Sequence, residues 1–221
     1  MLRHLIRPLL RLAFHLFYNP FAFTYDFVSA AVSRGRWRAW TRAAIPRLAG
    51  ARVLELACGT GNLLLDLNAA GYAPVGVDLS PSMLCITRDK LQQARANVPL
   101  VRARAQALPF SDRAFDASVL TFPPEFVSDP RALAEIHRLL TDDGRLVWVD
   151  AGRLLPRDLP SRLLNRAWDA VGGDDYFARS AIALLARAGF EARIETVQDD
   201  ASIVLIALAR KKGFDNAMPL C

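Results

Sequence analysis

Two carboxylates and one glycine turn define the chemistry open to this 221-residue chain. Glu55 lies inside the apolar run Val53 to Leu56, directly ahead of Ala57-Cys58-Gly59-Thr60-Gly61. Asp78 closes a second apolar run, Val75-Gly76-Val77, nineteen residues after Gly59. A glycine-rich turn between a strand and a helix lets backbone N–H groups approach a ligand closely. A carboxylate at the end of the next strand receives ribose hydroxyls. A glutamate buried in a strand is costly unless a cation or N–H meets it, so the placement of Glu55 just before the turn is informative.

The elements that must position these residues alternate along the chain. Strands are expected over 52–57, 74–78, 98–103, 115–120 and 145–150, and helices over 60–70, 81–96, 130–140 and 177–188. Ser80-Pro81 is an N-cap followed by proline at the first helical position, and Gly71 and Gly189 end helices. Asp142-Asp143-Gly144 reads as a turn, and two last strands, 191–198 and 202–210, meet at Asp199-Asp200. Strands alternating with helices imply βαβ units and a mainly parallel sheet. Residues 153–176 are the least regular part and sit where an insertion overhangs the carboxyl ends of the strands, as substrate contacts or as a plain surface connection.

Three blocks in order resemble the class I S-adenosylmethionine-dependent methyltransferases: ELACGTG, VGVDLSPSML and QALPFSDRAFDASVL. The small-molecule branch that includes ubiquinone- and menaquinone-pathway enzymes is the most similar in pattern. The resemblance implies an α/β fold: a Rossmann-like, seven-stranded, mostly parallel sheet with helices on both faces and an N-terminal helical cover. It divides the chain into a cap or lid over 1–50, the methyltransferase domain over 51–211 and a tail over 212–221. It implies S-adenosylmethionine as cofactor, with Glu55 and the turn through Ala57, Gly59, Thr60, Gly61 and Asn62 around the amino-acid tail. Asp78 then takes the ribose hydroxyls, Leu79 and Met83 lie against the adenine, and Ala105, Gln106, Ala107 and Thr121 complete the site. The family places an acid directly before the alanine of the adenine loop. Arg104 stands there instead and has no acceptor, so adenine recognition falls to backbone at Ala105 or to Gln106.

Methyl transfer is a single displacement at an activated carbon, so the protein mainly aligns acceptor, methyl and sulfur. An O–H or acidic C–H acceptor also needs a base. Glu125, Asp150 and Tyr25 are the catalytic candidates, with Asp26 beside them. Phe23-x-Tyr25-Asp26 is similar to the Tyr-Asp segment that closes over cofactor and substrate in small-molecule methyltransferases. The loop Thr121-Phe122-Pro123-Pro124-Glu125 echoes the Pro-Pro motif of nucleic-acid base methyltransferases, but Phe122 and Glu125 replace its amide and its aromatic. It reads as a loop shaping a small-molecule pocket. His137, alone on a helix, reads as structural or exposed.

Residues 1–50 hold eight arginines against the single acid Asp26, within a net charge of +6. Such a basic end suits nucleic acid, an anionic membrane or an acidic substrate, or is a solvated face. Residues 2–17 form an amphipathic pattern with Arg3, Arg7, Arg11 and His15 in one stripe. That pattern serves as a lid, as a peripheral membrane contact or as an organelle presequence. Three cysteines (Cys58, Cys85, Cys221) fit neither a disulfide framework nor a metal site, which suggests a reducing, cytoplasmic setting. No apolar stretch is long enough to span a bilayer, and Arg7 and Arg11 interrupt any secretory h-region.

The expected function is methyl transfer to a small, apolar or aromatic acceptor, with no metal and with nucleic acid disfavoured. A non-catalytic cofactor-fold or membrane-surface module and a nucleic-acid methyltransferase are the alternatives. A nicotinamide dehydrogenase shares the turn and the ribose acid, but has Gly or Ala where this chain has Leu64.

Overall fold

Alternation of buried strands and amphipathic helices resolves into one seven-stranded sheet in the order β3-β2-β1-β4-β5-β7-β6. The computed structural model describes residues 22–170 and 173–213, with the side chains of Glu125 and residues 167–176 left aside. The strands are β1 (Arg52–Leu56), β2 (Ala73–Asp78), β3 (Leu100–Arg102), β4 (Phe115–Thr121), β5 (Leu140–Leu154), β6 (Phe190–Gln198) and β7 (Ser202–Lys211). β1 pairs in parallel with β2 and β4, β2 with β3, and β4 with β5. β7 runs antiparallel between β5 and β6. This is the mostly parallel sheet that the sequence implied.

Helices α1 (Tyr25–Val32) and α2 (Trp37–Arg42) precede the sheet. They are followed by α3 (Asn62–Ala69), α4 (Pro81–Gln93), α5 (Pro130–Leu139), α6 (Leu159–Ala170) and α7 (Gly173–Arg187). Ser80 Oγ accepts from the Met83 amide at 3.2 Å, and Asp129 Oδ1 accepts from the Arg131 amide at 3.0 Å, each ahead of a first-turn proline. These caps satisfy amide donors that a helix start otherwise leaves open. On one face of the sheet Leu54, Leu56, Leu120 and Trp148 pack against α5 and α7. On the other, Val53, Val119 and Val149 pack against Leu63 and Leu67 of α3 and Trp40 of α2.

Two expectations change. The acidic Asp142-Asp143-Gly144 lies within β5 instead of forming a turn before it: the β4–β5 register jumps from Phe115↔Leu140 to Ala117↔Arg145, absorbing the extra residues as an irregularity. Residues 153–176 are mostly helical, contributing α6 and the start of α7. Their prolines suggest a loop, but Pro160 occupies the first turn of α6, where proline is tolerated, and Asp158 Oδ1 accepts from the Ser161 amide at 2.9 Å to cap that helix.

The arginines between 34 and 47 are not a free basic face. Arg34 pairs with Asp158, Arg36 with Asp199, and Arg47 with Glu195. Arg38 and Arg42 both grip Asp66 of α3 through Nε and Nη2, at 3.2 and 2.7 Å and at 2.8 and 2.6 Å. The N-terminal segment is thus fastened to α3, to the residue ahead of α6, to β6 and to the β6–β7 connection. Residues 2–17 lie outside the described residues. Among the described residues no helix is long and apolar enough to cross a membrane.

The Asp66 clamp makes a stability prediction. Burial pushes this carboxyl up, but hydrogen bonds from Arg42 and Arg38 outweigh it and hold the group below its ordinary range. A depressed native pKa adds stability above the unfolded value and loses it as pH falls. Because both arginines are half-exposed, Asp66→Asn should lose about 1–3 kcal/mol in urea denaturation at pH 7. The gap to wild type should narrow below about pH 4.

Candidate functional site

The site lies at the carboxyl ends of β1, β2 and β4, where a parallel sheet leaves its loops free to meet a ligand. β1 ends at Leu56, and Ala57 follows with φ 59°, a left-handed conformation for a residue with a side chain. The Cys58 amide then donates to Val77 O at 3.0 Å, and the Gly61 amide to Cys58 O at 2.9 Å. Gly59 and Gly61 have φ 54° and 76°. Thr87 of α4 locks the turn from behind, its Oγ1 donating to Gly59 O at 2.7 Å.

Asp78 closes the same turn from β2. Its Oδ2 accepts from the Gly59 amide at 2.9 Å and its Oδ1 from the Ser80 amide at 2.8 Å. Burial raises its pKa, and the backbone amides of Ser80, Gly59 and Leu79 moderate the rise. Leu79, next along, is 53% exposed and offers an apolar surface beside that carboxylate. Met83 is wholly buried behind it. The Ala103 amide donates to Asp78 O at 3.3 Å, which brings the 104–107 turn alongside. There Ala105 is buried, Ala107 and Arg104 are exposed, and Gln106 Nε2 donates to Asp129 Oδ2 at 3.2 Å. Thr121 ends β4, half-buried.

Glu55 sits beneath the turn, paired in register with Gly76 and Val119. It is fully buried, and Oε2 has no hydrogen-bond partner. Burial, then the charges of Asp78 and Asp66, push its pKa well above the ordinary carboxylate range. A buried acid lacking a donor, below an open turn, is the arrangement an ammonium group completes. A Cβ built on Gly59 meets nothing within 4 Å, so the space beside the turn is open. The residues present therefore fit the amino-acid tail and ribose of S-adenosylmethionine: Glu55 for the ammonium, the turn amides for close approach, Asp78 for the hydroxyls.

Across the mouth stand aromatic rings. Phe122 follows β4 with φ 47° and stacks on Trp37, centroids 4.2 Å apart and planes at 28°. Trp40 lies 6.0 Å from Phe122, and Tyr25 meets Trp37 edge-on at 6.3 Å. Trp40 is held by its Nε1–H donating to Ser202 Oγ at 2.9 Å. Gly152 in β5 makes room for that indole: a Cβ there would lie 2.4 Å from Trp40 Cε3.

Asp150, two residues before Gly152, is largely buried, and burial pushes its pKa up to about 6. The Ala151 amide donates to its Oδ1 at 2.8 Å. Asp26 is differently placed. It accepts from Thr60 Oγ1 at 2.7 Å and Asn62 Nδ2 at 2.9 Å, and pairs with Lys90. The side chain of Glu125 lies outside the described residues. His137 packs edge-on against Phe190, the first residue of β6, at 5.0 Å. Among the described residues no group of His, Cys, Asp and Glu is arranged to hold a metal.

Lys90, Thr87 and Trp37 are participants that sequence reasoning passed over. Lys90 carried a usable signal, since no other lysine occurs before residue 211.

Residues 53–144 match the methyltransferase domain family. The chain is 39% identical over 139 residues to the demethylmenaquinone methyltransferase of Thermus thermophilus, covering 60% of this chain and 63% of that protein. It is 33% identical over 135 residues to the ubiquinone/menaquinone biosynthesis C-methyltransferase UbiE of Citrifermentans bemidjiense, covering 57% of each. It thus spans less than two thirds of the length of these relatives. The fold is shared with an S-adenosylmethionine-dependent methyltransferase of Thermotoga maritima at TM-score 0.66 and 22% identity, covering 90% of this chain and 99% of that one. The sheet order is therefore that of an S-adenosylmethionine-dependent methyltransferase fold. Residues 53–144 are thus similar to a methyltransferase domain, and the two relatives named above are methyltransferases of quinone biosynthesis.

The two glycines of the turn should respond differently. In Gly61→Ala the new Cβ lies 2.4 Å from Thr87 Cγ2 at positive φ, which should lower stability by about 3 kcal/mol. Gly59→Ala has open space and should lose only about 1 kcal/mol. Its methyl, however, would project into the open space beside the turn that the proposed donor would occupy. Calorimetric titration with S-adenosylhomocysteine should therefore weaken at least about tenfold for Gly59→Ala, a loss of roughly 1.4 kcal/mol, although thermal unfolding barely changes.

Proposed function

We propose that the chain transfers a methyl group from S-adenosylmethionine to a small, apolar, aromatic acceptor by direct displacement. The observation that carries this is Glu55 Oε2, buried and unpaired beneath an open glycine turn. The donor supplies an electrophilic methyl on a sulfonium. The chain supplies binding, alignment and a proton acceptor. Glu55 holds the donor's ammonium, Asp78 its ribose, and Leu79 covers one face of its adenine. The Tyr25, Trp37 and Phe122 rings receive a flat acceptor across the mouth, since aromatic faces pair well with planar rings.

The two curated relatives named above are quinone-pathway methyltransferases, which supports an acceptor of the hydroquinone type. Asp150 is the proton acceptor in this reading. A carboxylate titrating near 6 is ionised at neutral pH, yet basic enough to take a proton from an acidic ring hydroxyl. The dehydrogenase alternative is disfavoured by Leu64, which is fully buried against Gly76 of β2 at the position where that fingerprint has a glycine or alanine for close helix–strand packing. The nucleic-acid alternative is disfavoured by the ion pairs that engage the arginines from 34 to 47.

Calorimetry with S-adenosylhomocysteine tests the donor. Wild type should bind at micromolar levels, and Asp78→Ala should lose at least about tenfold, or 1.4 kcal/mol. No saturable binding by wild type, with saturation by NADH, would reverse the reading.

Asp150 gives a paired test of activity and stability. A native carboxyl pKa raised to about 6 from 3.8 means the folded state holds its proton more tightly, so stability falls as pH rises from 4 to above 6. Asp150→Asn should be more stable than wild type at pH 8 by about 3 kcal/mol, with the gap closing near pH 4. Methyl transfer to a demethylmenaquinol should rise through about pH 6 in wild type, and the variant should retain about 1% of it or less.

A further inference from the structure

Asp26 lies in the first turn of α1, and its carboxylate reaches over the glycine turn. Oδ1 accepts from Thr60 Oγ1 at 2.7 Å and from Asn62 Nδ2 at 2.9 Å. Oδ2 accepts from Lys90 Nζ of α4, which also donates to Asn62 Oδ1 at 2.9 Å. Four side chains from the cover, the turn and α4 close into a ring around Gly61. The adjacent residue, Tyr25, starts the aromatic contacts to Trp37 and thence to Phe122. Consecutive residues of one helix therefore touch the donor turn and the acceptor cover.

The same contacts remove Asp26 from the list of bases. Burial works against its charge, but the hydrogen bonds from Lys90, Thr60 and Asn62 outweigh it and hold its pKa below the ordinary range. Its lone pairs face three donors. A proton acceptor near neutral pH needs the opposite environment.

We propose that Asp26 is a positioning residue that, with Lys90, latches the N-terminal cover onto the donor turn. The latch fixes the Thr60 and Asn62 side chains on either side of Gly61 and sets the aromatic cover by the same contact. The donor half of this proposal rests on reading the glycine turn as the methyl donor's site. The latch is separable from global stability. The Asp26 and Lys90 side chains are 43% and 24% exposed, and pairs this accessible add little to overall folding. Losing one opens α1 locally and leaves the sheet intact.

The test uses the full chain as wild type, Asp26→Asn, Lys90→Met, the double variant and Lys90→Arg. S-adenosylhomocysteine binding is measured by calorimetry, and amide hydrogen exchange is followed over residues 25–32. Each single variant should weaken binding by about tenfold. Each should also speed exchange in α1 by about tenfold, with the melting temperature shifted by less than about 3 °C. The double variant should bind no more weakly than the worse single one, and Lys90→Arg should recover most of the loss. Unchanged binding and exchange in Asp26→Asn would overturn the latch. So would losses that add in the double variant and track a fall in melting temperature, because a merely structural contact behaves that way. If wild type itself fails to bind S-adenosylhomocysteine, the donor assignment falls. Exchange in α1 then decides the latch alone.

Discussion

The hydrogen bond from the Gly59 amide to Asp78 is the contact on which the functional end of the sheet depends. It joins the loop after β1 to the last residue of β2, across neighbouring parallel strands. A chain leaving a buried strand must turn sharply before it can start a helix packed on the same sheet. Here the turn is made by left-handed residues at Ala57, Gly59 and Gly61. Left-handed backbone is unfavourable for a residue with a side chain, so the surroundings must hold it. Asp78 does so from one side and Thr87 from the other. With the turn fixed, α3 begins above Glu55, Asp66 of α3 comes within reach of Arg38 and Arg42, and the N-terminal helices acquire an anchor.

That geometry concentrates negative charge in a place with little water. Glu55, Asp78 and Asp150 all have pKa values raised by burial. A structure selected for stability alone would put apolar groups there, since unpaired buried carboxyls oppose folding. The acids that serve folding are placed differently. Asp66, Asp116 and Asp158 meet arginines and are held below the ordinary range. The division runs by partner: the depressed acids meet cationic side chains, Asp26 over the turn included, and the raised ones do not. Sites of chemistry commonly carry this signature, because a ligand supplies what the protein withholds.

Much of this was legible in the sequence because it follows from local rules. The glycines of the turn, the acid at the end of β2, and the Ser80-Pro81 cap each have a fixed physical meaning within a few residues. The alternation of strands and helices gave a mainly parallel sheet, whereas right-handed crossovers fix the hand of each connection and leave the strand order to the structure. The helical nature of 159–170 was obscured by Pro156 and Pro160, although Asp158 and Ser161 form a cap. The partners of the arginines could not be read, because Arg36 and Asp199 stand far apart in sequence and meet only after β7 inserts beside β5. Nor could the roles of Asp150 and Asp26 be separated. Both are carboxylates near aromatic residues in the sequence, and only deep burial with a single backbone donor in one case and three side-chain donors in the other tells them apart.

The arginines from 34 to 47 show how the described part of the cover is held. A basic N-terminal stretch invites an electrostatic reading in which charge recruits a polyanion. Between residues 34 and 47, however, each arginine faces a carboxylate from a distant element: Asp66 on α3, Asp158 ahead of α6, Glu195 on β6, Asp199 beside β7. Charges so paired leave little field at a distance. Their effect is mechanical: they hold α2 in place so that Trp37 and Trp40 stand against Phe122. The proposed acceptor site is thereby bordered by rings rather than by charges. Phe122 is kept in a left-handed conformation because its amide is bonded to Val149 O at 2.8 Å and its ring is stacked on Trp37. Backbone and ring contacts together hold this side chain in place at the end of β4.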